Sequence, residues 1–137
     1  MSDQVMVEGL VSVPQTEIAL LLEAGYLYME MQKMKEAEEI FAGVAALVPH
    51  SDVPVICLGN LFFSQGRFDR ALKFQRDALK RNPESALAKA HEGEALLFMN
   101  KPTEAKQSLE AAVAMEPDSD AAAFATSLLD ALAAEVL

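Results

Sequence analysis

Four columns of residues recur along this chain at a fixed step of 34. Gly25, Gly59 and Gly93 form the first, Ala37, Ala71 and Ala105 the second, Pro49, Pro83 and Pro117 the third, and Ser51, Ser85 and Ser119 the fourth. A chain written this way builds one small unit three times. No unit of this size buries its apolar face alone, so stacked neighbours must bury it together.

Inside the unit the spacing is helical. Val55, Leu58, Gly59 and Phe62 stand at i, i+3, i+4 and i+7 and share one helical face. Phe68, Ala71, Leu72, Ala78 and Leu79 give a second helix its own stripe, with small Ala71 and Ala78 allowing close approach. The two form an antiparallel pair. Between them, Gly66 can take the left-handed backbone that ends a helix; Asn100 tolerates it in the third unit, and Gln32 in the first fits it less well. Pro83 cannot continue a helix, and Ser85 can cap the next one by accepting a hydrogen bond from a free backbone N–H, as can Ser51 and Ser119.

Glycine inside a helix costs about 1 kcal/mol relative to alanine, so the glycine column needs a compensating reason. Close approach of the partner helix supplies it. The expected layout is helix pairs at about 16–48, 52–82 and 86–116, within repeats of about 16–49, 50–83 and 84–117. A capping helix follows at about 119–135, turning Phe124, Leu128, Leu129 and Leu132 inward, because a stack must cover its last apolar face. Residues 1–15, ahead of the repeat domain of residues 16–137, read as an N-terminal arm, flexible or partner-binding.

Composition narrows the function. Twenty-one acidic against eleven basic residues give a formal charge of -10, which argues against unaided binding to nucleic acid or to an anionic membrane surface. No Lys or Arg follows Lys106, so the C-terminal end is an acidic cap. Cys57 is the one cysteine, so no intrachain disulfide can form and a cytoplasmic location is expected. The start lacks the pattern of a secretory signal, and no apolar run approaches the roughly 20 residues of a membrane span.

The columns resemble the tetratricopeptide repeat, a family whose 34-residue unit carries a large apolar residue, then Leu, Gly or Ala, Tyr, Ala, an aromatic, Ala and Pro. Leu21, Ala24, Gly25, Tyr28, Ala37, Phe41 and Pro49 match in the first repeat; Leu58, Gly59, Phe62, Ala71, Ala78 and Pro83 in the second; Gly93, Leu96, Ala105, Leu109, Ala112 and Pro117 in the third. Lys89 and Glu92 depart by standing where apolar residues belong, Gln75 replaces an aromatic, and Val44 replaces a small residue. The resemblance implies an all-α fold: three helix-turn-helix repeats plus a C-terminal capping helix, wound as a right-handed α-solenoid. Three repeats in a small acidic chain, with an opening of the texture "EIALLLEAGYLYMEMQKMKEAEEIFAGVAALVPHSD", also look like the chaperones of bacterial type III secretion. That likeness implies a protein partner, either an aggregation-prone secretion substrate or an apparatus subunit held as an extended segment, with homodimers or heteromeric complexes both open.

In such folds the first helix of each pair lines the concave surface. Leu22, Tyr26 and Met29 in the first repeat, Ile56, Asn60 and Phe63 in the second, and Ala90, Glu94 and Leu97 in the third are the expected groove. Most are apolar, which suits a peptide ligand better than open water. Tyr26 and Asn60 would supply polar contacts to a bound backbone, and Met29 adds an adaptable surface. Relatives that clamp the C-terminal carboxylate of a heat-shock protein use Lys, Asn and Arg at these places, where this chain has Leu22, Tyr26 and Ala90.

Two other constellations have plain structural readings. Arg67, Arg70, Lys73 and Arg76, with Lys80 and Arg81, form a basic helix, read as a solvated face balancing Asp69 and Asp77 or as an interface. Glu23, Cys57 and His91 occupy equivalent positions and superficially suggest an acid, a nucleophile and a base. No oxyanion site or glycine-rich turn accompanies them, so a buried thiol and an ordinary hydrogen bond are the better reading and no enzyme is expected. His50 and His91 are isolated and no Cys pair exists, so neither a metal nor another cofactor is expected.

Overall fold

The computed structural model describes residues 4–6 and 12–134, with side chains from residue 15 onward. The expected arm therefore falls partly outside the described residues, as does Glu135 at the end of the expected capping helix. Gln4–Met6 (β1) and Ser12–Pro14 (β2) pair antiparallel, Val5 opposite Val13. This short ribbon is absent from the sequence reading, and everything after it is helical. The helices are α1 (Gln15–Glu30), α2 (Met34–Leu47), α3 (Val53–Ser64), α4 (Phe68–Arg81), α5 (Ala86–Phe98), α6 (Pro102–Met115) and α7 (Asp120–Ala133).

Each pair turns in the same way. Gln32, Gly66 and Asn100 take positive φ of 62°, 74° and 61°. The next residue then donates its N–H to the carbonyl five back: Lys33 to Tyr28 at 2.8 Å, Arg67 to Phe62 at 2.9 Å and Lys101 to Leu96 at 2.9 Å. This closure satisfies carbonyls that a helix end leaves without partners. Gln32 adopts the left-handed conformation despite its side chain, because the hydrogen bonds on either side of it leave no other path.

The serine column caps helices with one instructive exception. Ser85 accepts from the Ala88 N–H at 3.2 Å and Ser119 from the Ala122 N–H at 3.0 Å, each three residues on. At Ser51 the residue three on is Pro54, which has no N–H to give. Ser51 accepts instead from Val53, two residues on, at 3.2 Å.

The glycine column is where first and second helices meet. A Cβ on Gly25 would run into the Phe41 ring, one on Gly59 into the Gln75 side chain, and one on Gly93 would lie 2.6 Å from Leu109 Cδ2. Phe41, Gln75 and Leu109 are themselves 34 apart, so each glycine receives the side chain of one facing column. Gln75 is buried, and its Nε2 donates to the Ile56 carbonyl at 3.2 Å.

Helices pack in order, α1 on α2, α2 on α3, and so on to α7. The first helices also touch one another, α1 with α3, α3 with α5 and α5 with α7, while α2, α4 and α6 make no comparable contact among themselves. Hence the first helices form the inner, concave layer. Core side chains fill the space between layers: Phe41, Cys57, Leu58 and Leu61; then Phe62, Leu72 and Leu96; then Ala90, Leu109, Ala112 and Ala125. In α7 the fully buried residues are the small ones, Ala121, Ala122 and Ala125. Phe124, Leu128 and Leu129 pack partly buried around them.

Two buried polar arrangements tie repeats together. Glu92, where an apolar residue belongs, receives Arg76 Nε at 3.1 Å, Lys89 Nζ at 2.9 Å and Ser108 Oγ at 2.9 Å. Charge-assisted bonds from three side chains offset the cost of burying the carboxylate and link α4, α5 and α6. Arg81 Nη1 donates to the carbonyls of Ala45, Val48 and Ser51 at 3.1, 3.3 and 3.0 Å. It places positive charge at the C-terminal end of α2, where the helix dipole is negative.

Candidate partner-binding groove

The inner layer presents the side chains of α1, α3 and α5 that point neither into the core nor toward the second helices. At its centre, Asn60 Nδ2 donates to the Tyr26 hydroxyl at 2.9 Å, and the Tyr26 ring meets Phe41 edge-on with centroids 5.2 Å apart. Burial, foremost, with the Cys57 thiol beside it, holds the Tyr26 phenol well above its ordinary range. The group is a neutral hydroxyl that can donate as well as accept. Asn60 keeps its Oδ1 and a second N–H for other partners.

Apolar surface flanks this pair on both sides. Toward one edge, Ile18, Ala19, Leu22, Val48 and Val53 line an open cleft of about 210 Å³. On the other, Phe63 packs against Phe68 and Phe98 with centroids 5.0 Å away, and Phe98 remains 46% exposed. Met29 and Leu97 are half-buried along the same layer.

Of the nine expected groove residues, seven have surface to offer: Leu22, Tyr26, Met29, Asn60, Phe63, Glu94 and Leu97. Ile56 and Ala90 do not, and expecting them in the groove is corrected. Ile56 packs with Ala45, Val55, Ala78 and Ala88, and Ala90 with Leu109, Ala112 and Ala125, because later first helices sit deeper between their neighbours than α1 does. Glu94 is engaged at 3.0 Å by His91 Nδ1, whose ring lies 4.9 Å from that of Phe124. Val53, Leu87 and Phe98 are exposed apolar residues that the sequence reading left out. Val53 and Leu87 are 34 apart and lie one turn before Ile56 and Ala90, so the repeat arithmetic alone contained that column.

The other constellations resolve into structure. Arg76 and Arg81 hold the contacts described above, Lys80 pairs with Asp77 at 3.6 Å, and the Arg67 and Arg70 guanidinium groups lie 5.0 and 4.5 Å from the Phe62 ring centre. Such cation–ring contacts contribute on the order of 0.5–1 kcal/mol at exposed sites. Cys57 is buried, and burial pushes its thiol up, the opposite of an activated nucleophile. His91 bonds to Glu94, and no hydrogen bond among the described residues joins it to Cys57 or Glu23. Among the described residues no three His, Cys, Asp or Glu side chains gather as metal ligands, and no helix is long and apolar enough to cross a membrane.

Stacked helical hairpins with a concave inner layer define a helical repeat protein. Tetratricopeptide repeat profiles match residues 19–51 and 62–129, and the chain belongs to that family. No curated protein sequence matches it. Among solved structures it is similar to the type III secretion translocator chaperone SycD of Yersinia enterocolitica, with TM-score 0.75 and 17% identity over 85% of this chain and 90% of that one. SycD in complex with a peptide of the translocator YopD aligns with TM-score 0.73 and 17% identity, over 89% and 96% of the two chains. The first repeat domain of Spaghetti (RPAP3), bound to the HSP90 peptide SRMEEVD, aligns with TM-score 0.73 and 22% identity, over 90% and 96%. At these identities the likeness is one of fold.

Proposed function

We propose that this chain is a non-catalytic protein-binding chaperone that holds an extended, apolar segment of a partner in its concave groove. The observation that carries the reading is the groove's composition: apolar cleft, Tyr26–Asn60 pair, aromatic corner. An extended strand offers alternating backbone donors and acceptors together with side chains on both faces. The pair in the middle answers the first and the flanking apolar surface the second.

Ligand class follows from charge. None of the seven accessible groove residues is cationic, and Glu94 is acidic. An acidic tail such as SRMEEVD would find no clamp there, whereas a neutral, apolar stretch loses little by desolvation and gains the area it covers. The finer role we infer is that of a type III secretion chaperone acting in the cytoplasm. Its support is the apolar groove, the lone thiol and the texture of the first repeat. An adaptor working through its outer face is the alternative, but Arg76 and Arg81 on that face are already committed to contacts within the protein.

Co-expression with a candidate secretion substrate tests the reading. The substrate is expected in the soluble fraction only when this chain accompanies it. Tyr26→Asp and Phe63→Asp should each lose that effect while helicity by circular dichroism is unchanged. A substrate that stays soluble with both variants would move the binding surface out of the groove.

A further inference from the structure

Two carboxylates stand two residues apart on α5 and meet opposite surroundings. Glu92 is supplied from within the protein, by Arg76, Lys89 and Ser108. Glu94 belongs to the groove, its side chain 16% exposed, and receives a single hydrogen bond, from His91 Nδ1 to Oε1 at 3.0 Å. Among the described residues its Oε2 has no donor, and no Lys or Arg lies within ion-pair distance of it. The inner layer has none to spare: α1, α3 and α7 carry no Lys or Arg, and Lys89, the one such residue of α5, is held by Glu92. A carboxylate only accepts, so the proton between the pair lies on His91 Nδ1, and in the neutral ring Nε2 is a second acceptor. The neutral dyad thus offers acceptors only. The wall beside it is apolar. Leu97, one turn along α5, and Phe124 and Leu128 of α7 pack half-buried in one cluster, and the Phe124 ring centre lies 4.9 Å from that of His91.

We propose that Glu94, steadied by His91, is the subsite for one cationic side chain, Lys or Arg, carried by the partner's otherwise apolar segment; this rests on the groove reading given above. An apolar stretch laid over Glu94 removes its remaining access to water and leaves a carboxylate supported by one donor, which is costly. A Lys or Arg in the stretch brings the missing donors with it. Its charged head meets Oε2 in a charge-assisted hydrogen bond, and its methylene stem lies along the apolar wall. The rest of the segment stays neutral over the cleft, the Tyr26–Asn60 pair and the aromatic corner. Repeat order fixes where the cation falls. Tyr26, Asn60 and Glu94 are 34 apart on successive inner helices, so it belongs to the part of the segment that crosses α5, one helix beyond Asn60. The formal charge of -10 attracts any basic segment from a distance, but only Glu94 makes the preference depend on position.

Fluorescence anisotropy of the full chain with labelled peptides of about ten residues tests this. Every peptide has the same sequence of Val, Leu and Ser, with one residue, moved through each position in turn, set to Lys, Gln or Glu. At the position that reaches α5 the Lys peptide should bind roughly ten times more tightly than its Gln counterpart, and the Glu peptide more weakly than either. Glu94→Gln should reduce the Lys preference there to less than about twofold, and Glu94→Lys should reverse it in favour of Glu. Phe63→Asp separates this inference from the reading beneath it. Peptides that bind the parent, lose affinity with Phe63→Asp and show no Lys preference at any position overturn the subsite and leave the groove reading standing. A Lys preference that survives Glu94→Gln overturns it too, since the overall charge then explains the effect. Peptides that do not bind, or bind Phe63→Asp as well as the parent, overturn both. Should Glu94→Gln fail to fold, the parent decides: Lys favoured at one position supports the subsite, and Lys favoured equally at all positions overturns it.

Discussion

Single residues explain where this chain departs from its repeat pattern. Glu92 sits at a position that should be apolar, yet it is buried and bonded to Arg76, Lys89 and Ser108. Burial alone would raise its pKa, but the three hydrogen bonds and the nearby Lys89 charge together outweigh it and hold the carboxyl below its ordinary value. A folded-state pKa below the unfolded one means that the unfolded chain binds the proton first. The carboxylate's contribution is then complete above the ordinary value of 4.5 and drains away as pH falls from there through the depressed folded pKa. Urea melts at neutral pH and at pH values below 4.5 should show the parent losing an increment of stability that Glu92→Gln does not lose. At neutral pH the variant should be weaker by about 1–3 kcal/mol, since it removes a charged acceptor from three donors, two of which can turn to solvent. Equal acid sensitivity in parent and variant would show that the network contributes nothing to folding. Lys89 and Glu92 were visible in the sequence as anomalies three residues apart, a spacing that pairs them on one helix face; the rest of the network was not, because Arg76 and Ser108 reach Glu92 from other helices and no local spacing connects them to it.

At the scale of helices and turns, legibility was high wherever one residue type has one conformational use. Gly66 and Asn100 marked two of the three turns, and both take the left-handed backbone. Gln32 takes it as well, at φ 62°, where a residue with a Cβ is strained by roughly 1–2 kcal/mol. Replacing it with glycine relieves that strain while adding freedom to the unfolded chain, so the two effects partly cancel. Gln32→Gly should still gain about 0.5–1 kcal/mol, read as a melting temperature higher by roughly 2–5 °C. A lower melting temperature would mean that the Gln32 side chain makes contacts worth more than the strain. The serine column was read correctly at Ser85 and Ser119 and imperfectly at Ser51, because Pro54 removes the N–H that the other two use. The ribbon of β1 and β2 went unread because three-residue strands carry too little alternation to rise above the background of a short apolar segment.

Across the whole molecule, the 34-residue columns revealed how many hairpins there are and which faces stack, while the groove was only partly legible. Periodicity assigns equivalent positions the same direction but not the same exposure: Leu22, Ile56 and Ala90 are equivalent, and only Leu22 keeps surface. Depth in the stack decides that, and depth is a property of neighbours from distant parts of the chain. The same nearest-neighbour logic governs stability. In a stacked repeat protein each hairpin is held by its own pair and by the interfaces on either side, so a weakened end should loosen its neighbour before the far repeats. Phe124 and Leu128 of α7 pack on the cluster of Ala90, Leu109 and Ala112 from α5 and α6. Each is only partly buried, so truncation to alanine should cost about 1–2 kcal/mol apiece, below the range for full burial. Hydrogen exchange on the Phe124→Ala, Leu128→Ala double variant should therefore show faster exchange in α5, α6 and α7 with α1 and α2 unchanged. The Glu92 network joins α4 to α5 and α6 and should set the boundary, leaving α4 intermediate. If protection instead falls equally from α1 to α7, the solenoid opens as one cooperative body and the stack has no weak end.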